Sequence, residues 1–275
     1  MLCYYHDDLD GRCAAAIVRR AMGGGRFIAA DYRRSIPLPP LATGETVVVV
    51  DYFPDPHAMQ SLRQRAQRLI WIDHHASSMA CRAYAGLEGR REEGRAACEL
   101  VWEYFYPQQP LPRSVSLAAD RDVWTWHYGE ETASFCEGIR LIPHGPEDTV
   151  WQELLAGDRP TLETILREGA VCRRYQLALA VAFVERYGFE TEFEGYRCFA
   201  ANLNLFGSDV FGERFDRYEI CISFTYDGFR YHITLYSQQT DVLPLAVRHG
   251  GGGHHGAAGF SRDRLPFAAA SANMA

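Results

Sequence analysis

Three short apolar runs in the first third of the chain each stop at an acidic residue or a histidine, and this repeat restricts the fold more than any other feature. Residues 2–5 lead into His6-Asp7-Asp8-Leu9-Asp10-Gly11, residues 47–50 into Asp51, and residues 69–72 into Asp73-His74-His75. Runs this short and this apolar suit strands covered on both faces. Residues 12–22 and the stretch near 57–68 read as helices, with Gly23-Gly24-Gly25 stopping the first, so β and α elements alternate. The expected fold is α/β, with an N-terminal parallel sheet. Its polar residues would gather beyond the carboxyl ends of the strands, where open sheets of this class bind ligands.

Helical patterns follow over 95–106 and from 113 onward. Between 148 and 187, Ile165, Val171, Tyr175, Leu179 and Phe183 recur at helical spacing, which predicts a long connecting helix. Residues 197–203, 218–225 and 231–236 then read as strands, with Asp227-Gly228 as a hairpin turn between the last two. The expected division is an N-terminal α/β domain over 1–150, a helical linker over 151–190 and a smaller α/β domain over 191–275. A chain of 275 residues with 47% hydrophobic content can bury two such cores.

No apolar run approaches the ~20 residues that span a bilayer, and the start lacks a signal-peptide pattern, so a cytoplasmic protein with no membrane partner is expected. The eight cysteines are dispersed without a C-x-x-C pair and read as buried thiols. A formal charge of -7 argues against gripping long duplex nucleic acid, although bound metal would cancel part of it. The sequence leaves the oligomeric state open.

Carboxylates mixed with imidazoles suit divalent manganese, cobalt or iron, whereas a magnesium site shows fewer histidines; manganese is expected first. Alternate residues of an extended His6-x-Asp8-x-Asp10 point the same way, so one short stretch can offer three ligands. Gly11 would let the chain turn sharply into a helix beginning at Arg12. The lone histidines His57, His127, His144 and His232 read as ordinary surface or core groups. Trp102, Tyr104, Phe105, Trp124 and Trp126 read as core rather than as a base-stacking platform.

The ordered set His6 to Gly11, Asp51, Asp73-His74-His75 and Asp120 resembles the metal-site motifs of the DHH phosphoesterase superfamily, including its oligoribonuclease and nucleotide-phosphoesterase members. Residues 250–260, with Gly250-Gly251-Gly252-Gly253-His254-His255, resemble the glycine-rich signature of the accompanying DHH-associated domain. The resemblance implies two divalent metals, roughly 3.5 to 4 Å apart as in other two-metal phosphoryl enzymes. It places His6, Asp8 and Asp51 on the first and Asp10, Asp51, His74 and Asp120 on the second, with Asp51 bridging. His75 is then left to contact the phosphate or protonate the leaving oxygen.

Residues 119–124 offer two carboxylates. Asp120 is preferred because it follows the apolar stretch 115–119 as the family's fourth motif does, and Asp122 would then orient a ligand histidine. Arg121 is a candidate phosphate contact. The glycine cluster implies substrate binding by Gly251, Gly252, Gly253 and His254, through backbone amides that cradle a phosphate, and closure of the second domain over the metals. Related oligonucleotide-cleaving members carry an arginine in the strand before this loop, where the present chain reads Thr234-Leu235-Tyr236-Ser237. Tyr236 can stack on a base but cannot form the charged fork of arginine.

The expected activity is therefore manganese-dependent hydrolysis of phosphodiester or phosphomonoester bonds in small nucleotides or short oligonucleotides. Hydrolysis of pyrophosphate or short polyphosphate is the alternative within the same chemistry. A nucleotide-binding regulatory protein without turnover is the alternative outside it.

Overall fold

The computed structural model describes residues 1–32, 36–79, 84, 86–203 and 207–268, and of Ala76 and Ser77 the backbone alone. The chain divides into two compact units, Met1–Arg173 and Arg174–Ala275. Among the described residues, no helix is long and apolar enough to cross a membrane.

The first unit runs β1 (Leu2–His6), α1 (Leu9–Met22), β2 (Arg26–Ala30), β3 (Thr46–Val50), α2 (Pro56–Arg65), β4 (Arg68–Ile72), α3 (Ala76–Met79), α4 (Ala97–Phe105), α5 (Arg113–Asp122), α6 (Glu130–Ile139) and α7 (Thr149–Leu155). It also holds the first half of α8 (Arg159–Tyr187). The four strands pair in parallel in the order β2-β1-β3-β4. Their side chains alternate between two cores, as a period of two requires. Cys3, Tyr5, Val48, Val50, Ile70 and Ile72 pack on one side with residues of α1, α4, α5 and α6. Leu2, Tyr4, Val47, Val49 and Trp71 pack on the other with Met59 and Leu62 of α2. Coverage of both faces is why these strands read as unbroken apolar runs.

The order also fixes where a ligand can sit. From β1 the chain moves to β2 on one side, whereas β3 and β4 add on the other, so the sheet has its switch point between β1 and β3. Register aligns Tyr5 with Val50 and Val50 with Ile72. The next residues along, His6, Asp51 and Asp73, therefore emerge side by side at the carboxyl edge.

Two expectations change in detail. Helix α1 begins at Leu9, three residues before the expected start, with Asp8 as its N-cap accepting the Gly11 amide at 2.9 Å. Gly11 thus lies inside the helix rather than at a turn; a β-carbon there would sit 2.1 Å from the His6 carbonyl oxygen, so glycine permits α1 to start against the end of β1. The helical stretch 148–187 is two helices, because Gly157 takes a left-handed φ of 80° after α7 and the Asp158 carboxylate accepts the Thr161 amide at the start of α8. The expected linker segment is shared between the units. Trp151, Leu154, Leu155 and Ile165 are buried in the first core, and Ala180 and Val184 in the second unit.

The second unit contains a mixed six-stranded sheet in the order β5-β6-β7-β8-β10-β9. Its elements after α8 are β5 (Gly188–Phe193), β6 (Tyr196–Asn202), α9 (Arg214–Arg217), β7 (Ile220–Tyr226), β8 (Tyr231–Tyr236), α10 (Leu243–Arg248), β9 (Gly252–His254) and β10 (Ala257–Arg262). Only β6 and β7 pair in parallel. Asp227 and Gly228 lie in the turn between β7 and β8 as expected. The Asp227 carboxylate accepts the Phe229 and Arg230 amides, both at 2.8 Å.

One crossing in the first unit depends on two glycines. A β-carbon on Gly169 of α8 would lie 1.8 Å from the Ser134 carbonyl oxygen and 2.6 Å from the Gly138 amide of α6, so the backbones are in direct contact. Gly169→Ala is predicted to cost about 3 kcal/mol by overpacking, read as a lowered urea midpoint; an unchanged midpoint would show that the crossing can open without cost.

Candidate metal centre

Asp51 is the centre of the site. It follows β3 directly, is 1% exposed and takes a φ of 53°, a left-handed backbone that a residue with a side chain adopts at a cost. Its amide donates to Ile72 O at 3.0 Å, which holds it in line with β4. Neither carboxylate oxygen accepts a hydrogen bond. Two imidazole nitrogens, His74 Nε2 at 3.2 Å and His6 Nδ1 at 3.6 Å, come close without hydrogen-bond geometry. Buried carboxylate oxygens left in this state are costly unless a cation satisfies them.

Three groups of ligand-type atoms converge around it: His6, Asp8 and Asp51; Asp51, His74 and His75; and Asp10, His74 and Asp122. Asp51 and His74 each belong to two of them, so the groups overlap. The ligands are held in place by caps and by paired side chains. Asp8 spends Oδ1 on capping α1 and turns Oδ2 to His6 Nδ1 at 2.9 Å. Asp10 accepts the first amides of α4, Ala97 at 2.7 Å and Cys98 at 2.8 Å, where Ala96 supplies no cap of its own. Asp73, fully buried, sits 2.8 Å from His75 Nδ1 and accepts Ser78 Oγ at 2.5 Å, which fixes the His75 ring.

The electrostatics match a cation site. Burial and then the Asp51 charge push the Asp10 pKa up to about 7, and burial and then the Asp10 charge push Asp122 up to about 8. Asp51 is raised well above the ordinary carboxylate range, by burial above all. Burial works against a charged His6, yet the Asp51 and Asp8 carboxylates beside it outweigh that and raise its pKa to about 10. Carboxylates crowded in low dielectric raise one another's pKa, and a divalent cation is the kind of charge that would offset that crowding. Asp51 with neither oxygen hydrogen-bonded, Asp122 Oδ2 likewise, and the mixed oxygen and nitrogen donors fit divalent transition metals.

The structure separates Asp120 from this cluster and brings in Asp122. Both Asp120 oxygens are committed: Oδ1 accepts Thr125 Oγ1 and the His127 amide, both at 2.6 Å, and Oδ2 accepts the Tyr128 amide at 3.1 Å and the Thr132 hydroxyl. Burial raises its pKa, and these four donors more than reverse that. Asp122 instead lies with Oδ2 3.5 Å from His74 Nε2. Two residues apart on a helix are about 200° apart around its axis, so only one of the pair can face the cluster. Asp120 fastens the following turn, in which Trp124 and Trp126 hold φ angles of 59° and 52°. Arg121 is held over those two rings, its guanidinium carbon 4.1 Å from the Trp124 centroid and 5.3 Å from that of Trp126. Trp102 is core, as expected, whereas Trp124 is exposed.

In the second unit the glycine cluster has a backbone explanation of its own. Gly250 takes a φ of 73°, and the amides of Gly250 and Gly251 donate to Val247 O and Ala246 O, closing α10. The Gly251 amide is thereby used and does not belong to a phosphate cradle. Gly251 and Gly253 leave no room for a β-carbon against Gly259 and Ala257, while Gly252 faces open space and His254 is exposed. Tyr236 is 8% exposed and packs in the second unit's core, its ring 6.2 Å from that of Phe211, so it offers no face to a base.

Residues 1–120 match the sequence model of the DHH family, N-terminal domain. The protein described as uncharacterized protein R106 of Acanthamoeba polyphaga mimivirus is 21% identical over 243 residues, which cover 81% of this chain and 55% of that protein. The chain thus spans about half the length of this curated relative. Among solved structures, the DHH domain of a protein described as belonging to a family of ribosomal proteins aligns with a TM-score of 0.61 at 12% identity, over 94% of this chain and 81% of that one. The pGpG-specific phosphodiesterase PggH from Vibrio cholerae aligns with a TM-score of 0.55 at 11% identity, over 95% of this chain and 93% of that one. These two likenesses establish the fold.

The two aspartates give opposite predictions. Asp120→Ala is expected to cost about 3 kcal/mol of stability while leaving divalent-metal content unchanged, and Asp122→Asn to lower metal content by one ion while leaving the melting temperature of the metal-free protein near its original value. Elemental analysis beside thermal unfolding reads both, and the reverse pattern would restore Asp120 to the ligand set.

Proposed function

Through residues 1–120 the chain belongs to the DHH superfamily, and from that premise we propose that it is a metal-dependent phosphoesterase acting on small nucleotides or short oligonucleotides. The observation that carries this reading is the buried Asp51 carboxylate, neither oxygen hydrogen-bonded, where the ligand groups meet. The proposed ligands are His6, Asp8 and Asp51 for one cation and Asp10, Asp51, His74 and Asp122 for the other, manganese being the first choice. Two such cations, when bound, lower the pKa of a water and neutralise charge on phosphoryl oxygens in an in-line displacement.

The chain's own residues supply the rest. Asp51 would hold both cations, its backbone tied to β4 through the amide that donates to Ile72 O. His75, with Nδ1 at Asp73, presents Nε2 as the nitrogen that contacts the phosphate or hands a proton to the leaving oxygen. Arg121, kept beside Asp122 by its two tryptophans, is proposed as a phosphate contact. Gly252, Gly253 and His254 of the second unit are proposed as substrate contacts. One relative in fold is described as a phosphodiesterase for pGpG, a short guanine nucleotide, which supports a small substrate. The net charge of -7 supports it too, since tracking along long strands needs a cationic surface.

The test is hydrolysis of dinucleotides, nucleoside bisphosphates, cyclic dinucleotides and pyrophosphate with manganese. Dinucleotide or bisphosphate turnover is expected, abolished in Asp51→Asn and reduced about 10²- to 10⁴-fold in His75→Ala with metal retained. Rapid turnover of pyrophosphate alone would replace this reading with phosphoanhydride hydrolysis. Nucleotide binding without turnover under any divalent metal would replace it with a regulatory role.

A further inference from the structure

Tyr32, just after β2, departs from its surroundings. Its side chain is 44% exposed. Yet its ring centroid lies 4.9 Å from that of Tyr52, 5.0 Å from Phe53, 5.4 Å from His6 and 5.8 Å from His75. Two of these neighbours are imidazoles of the ligand cluster, and the other two follow Asp51 directly in the chain. An aromatic ring is thus fixed at the rim of the cluster, backed by further rings and open to solvent over much of its surface.

The backing is rigid. Tyr52 is 4% exposed and its carbonyl accepts Trp71 Nε1 at 3.0 Å. The next carbonyl but one, Pro54 O, accepts the Tyr84 hydroxyl at 2.5 Å. Phe53 stands between them, its ring 5.9 Å from His75. A surface whose supports are already locked loses little freedom when a ligand settles on it.

Holding cations does not call for these rings, since carboxylates and imidazoles do that. A pocket for pyrophosphate alone would line the rim with donors and cations, and an aromatic face offers neither. It does offer a π surface to a flat group carried one sugar away from a phosphate at the cluster.

We propose that Tyr32, supported by Phe53, is the stacking surface for the nucleobase attached to the phosphate held at the cluster, which selects nucleotides over inorganic phosphoanhydrides. This rests on the phosphoesterase reading of the same cluster. Stacking of one base on an aromatic side chain corresponds to roughly a 5- to 150-fold gain in affinity.

The experiment is calorimetric titration of the manganese-loaded full chain with adenosine 5'-monophosphate and with ribose 5-phosphate, which differ by the base alone. The nucleotide is expected to bind about tenfold tighter or more. Tyr32→Leu should erase that difference while leaving ribose 5-phosphate affinity unchanged, and Tyr32→Trp should preserve it. Equal affinities in the unaltered protein, or a Tyr32→Leu loss shared by both ligands, would overturn the stacking surface and leave the ring as packing around His6 and His75. If manganese itself does not bind, the phosphoesterase reading fails and this inference with it. Manganese and ribose 5-phosphate binding without gain from the base would sink the stacking surface alone.

Discussion

A buried carboxylate with nothing to hydrogen-bond is the constraint on which the first unit is arranged. Asp51 sits at the switch point of a parallel sheet, in a left-handed backbone conformation, with neither oxygen hydrogen-bonded. Each of these features carries a cost: the desolvated charge, the strained φ and the repulsion from Asp8, Asp10 and Asp122. A chain keeps such an arrangement when something positive offsets it, and the surrounding imidazoles and carboxylates are of the kinds that hold divalent cations.

Folding and ligand placement share the same side chains. Asp8 caps α1 and Asp10 caps α4, so two of the proposed ligands are aimed by the helices they begin or support. Gly11 lets α1 approach the His6 carbonyl, which keeps the first ligand loop tight. Asp73 belongs to none of the three ligand groups and instead holds His75 Nδ1 at 2.8 Å. Such coupling makes the site a product of the strand ends and helix starts, and precision of this kind is what positioning a phosphate requires.

Much of this could be read from residue order. The apolar runs ending at His6, Asp51 and Asp73 gave the parallel sheet and its carboxyl edge, because a strand covered on both faces must be apolar throughout. Turn chemistry found the hairpin at Asp227-Gly228. The break at Gly157-Asp158 was missed because helical periodicity persists on both sides of it. Residue order does not decide between Asp120 and Asp122 for a different reason. Both follow an apolar stretch, and only the angle around α5 and the donors Thr125, His127, Tyr128 and Thr132 separate a capped carboxylate from one facing the cluster. The spacing of Asp120 to Thr125 and Thr132 was the one signal present. The burial of Tyr236 is not legible in residue order because its partner, Phe211, is distant in sequence, nor is the place of Tyr32, whose neighbours His6, Phe53 and His75 come from three separate segments.

The central claim is that Asp51 stands between two cations. Crystals grown with manganese and measured near the manganese absorption edge should show two anomalous peaks, one on each side of the Asp51 carboxylate, with Asp122 rather than Asp120 beside the second. A single peak, or peaks that leave Asp51 without a cation, would contradict the account.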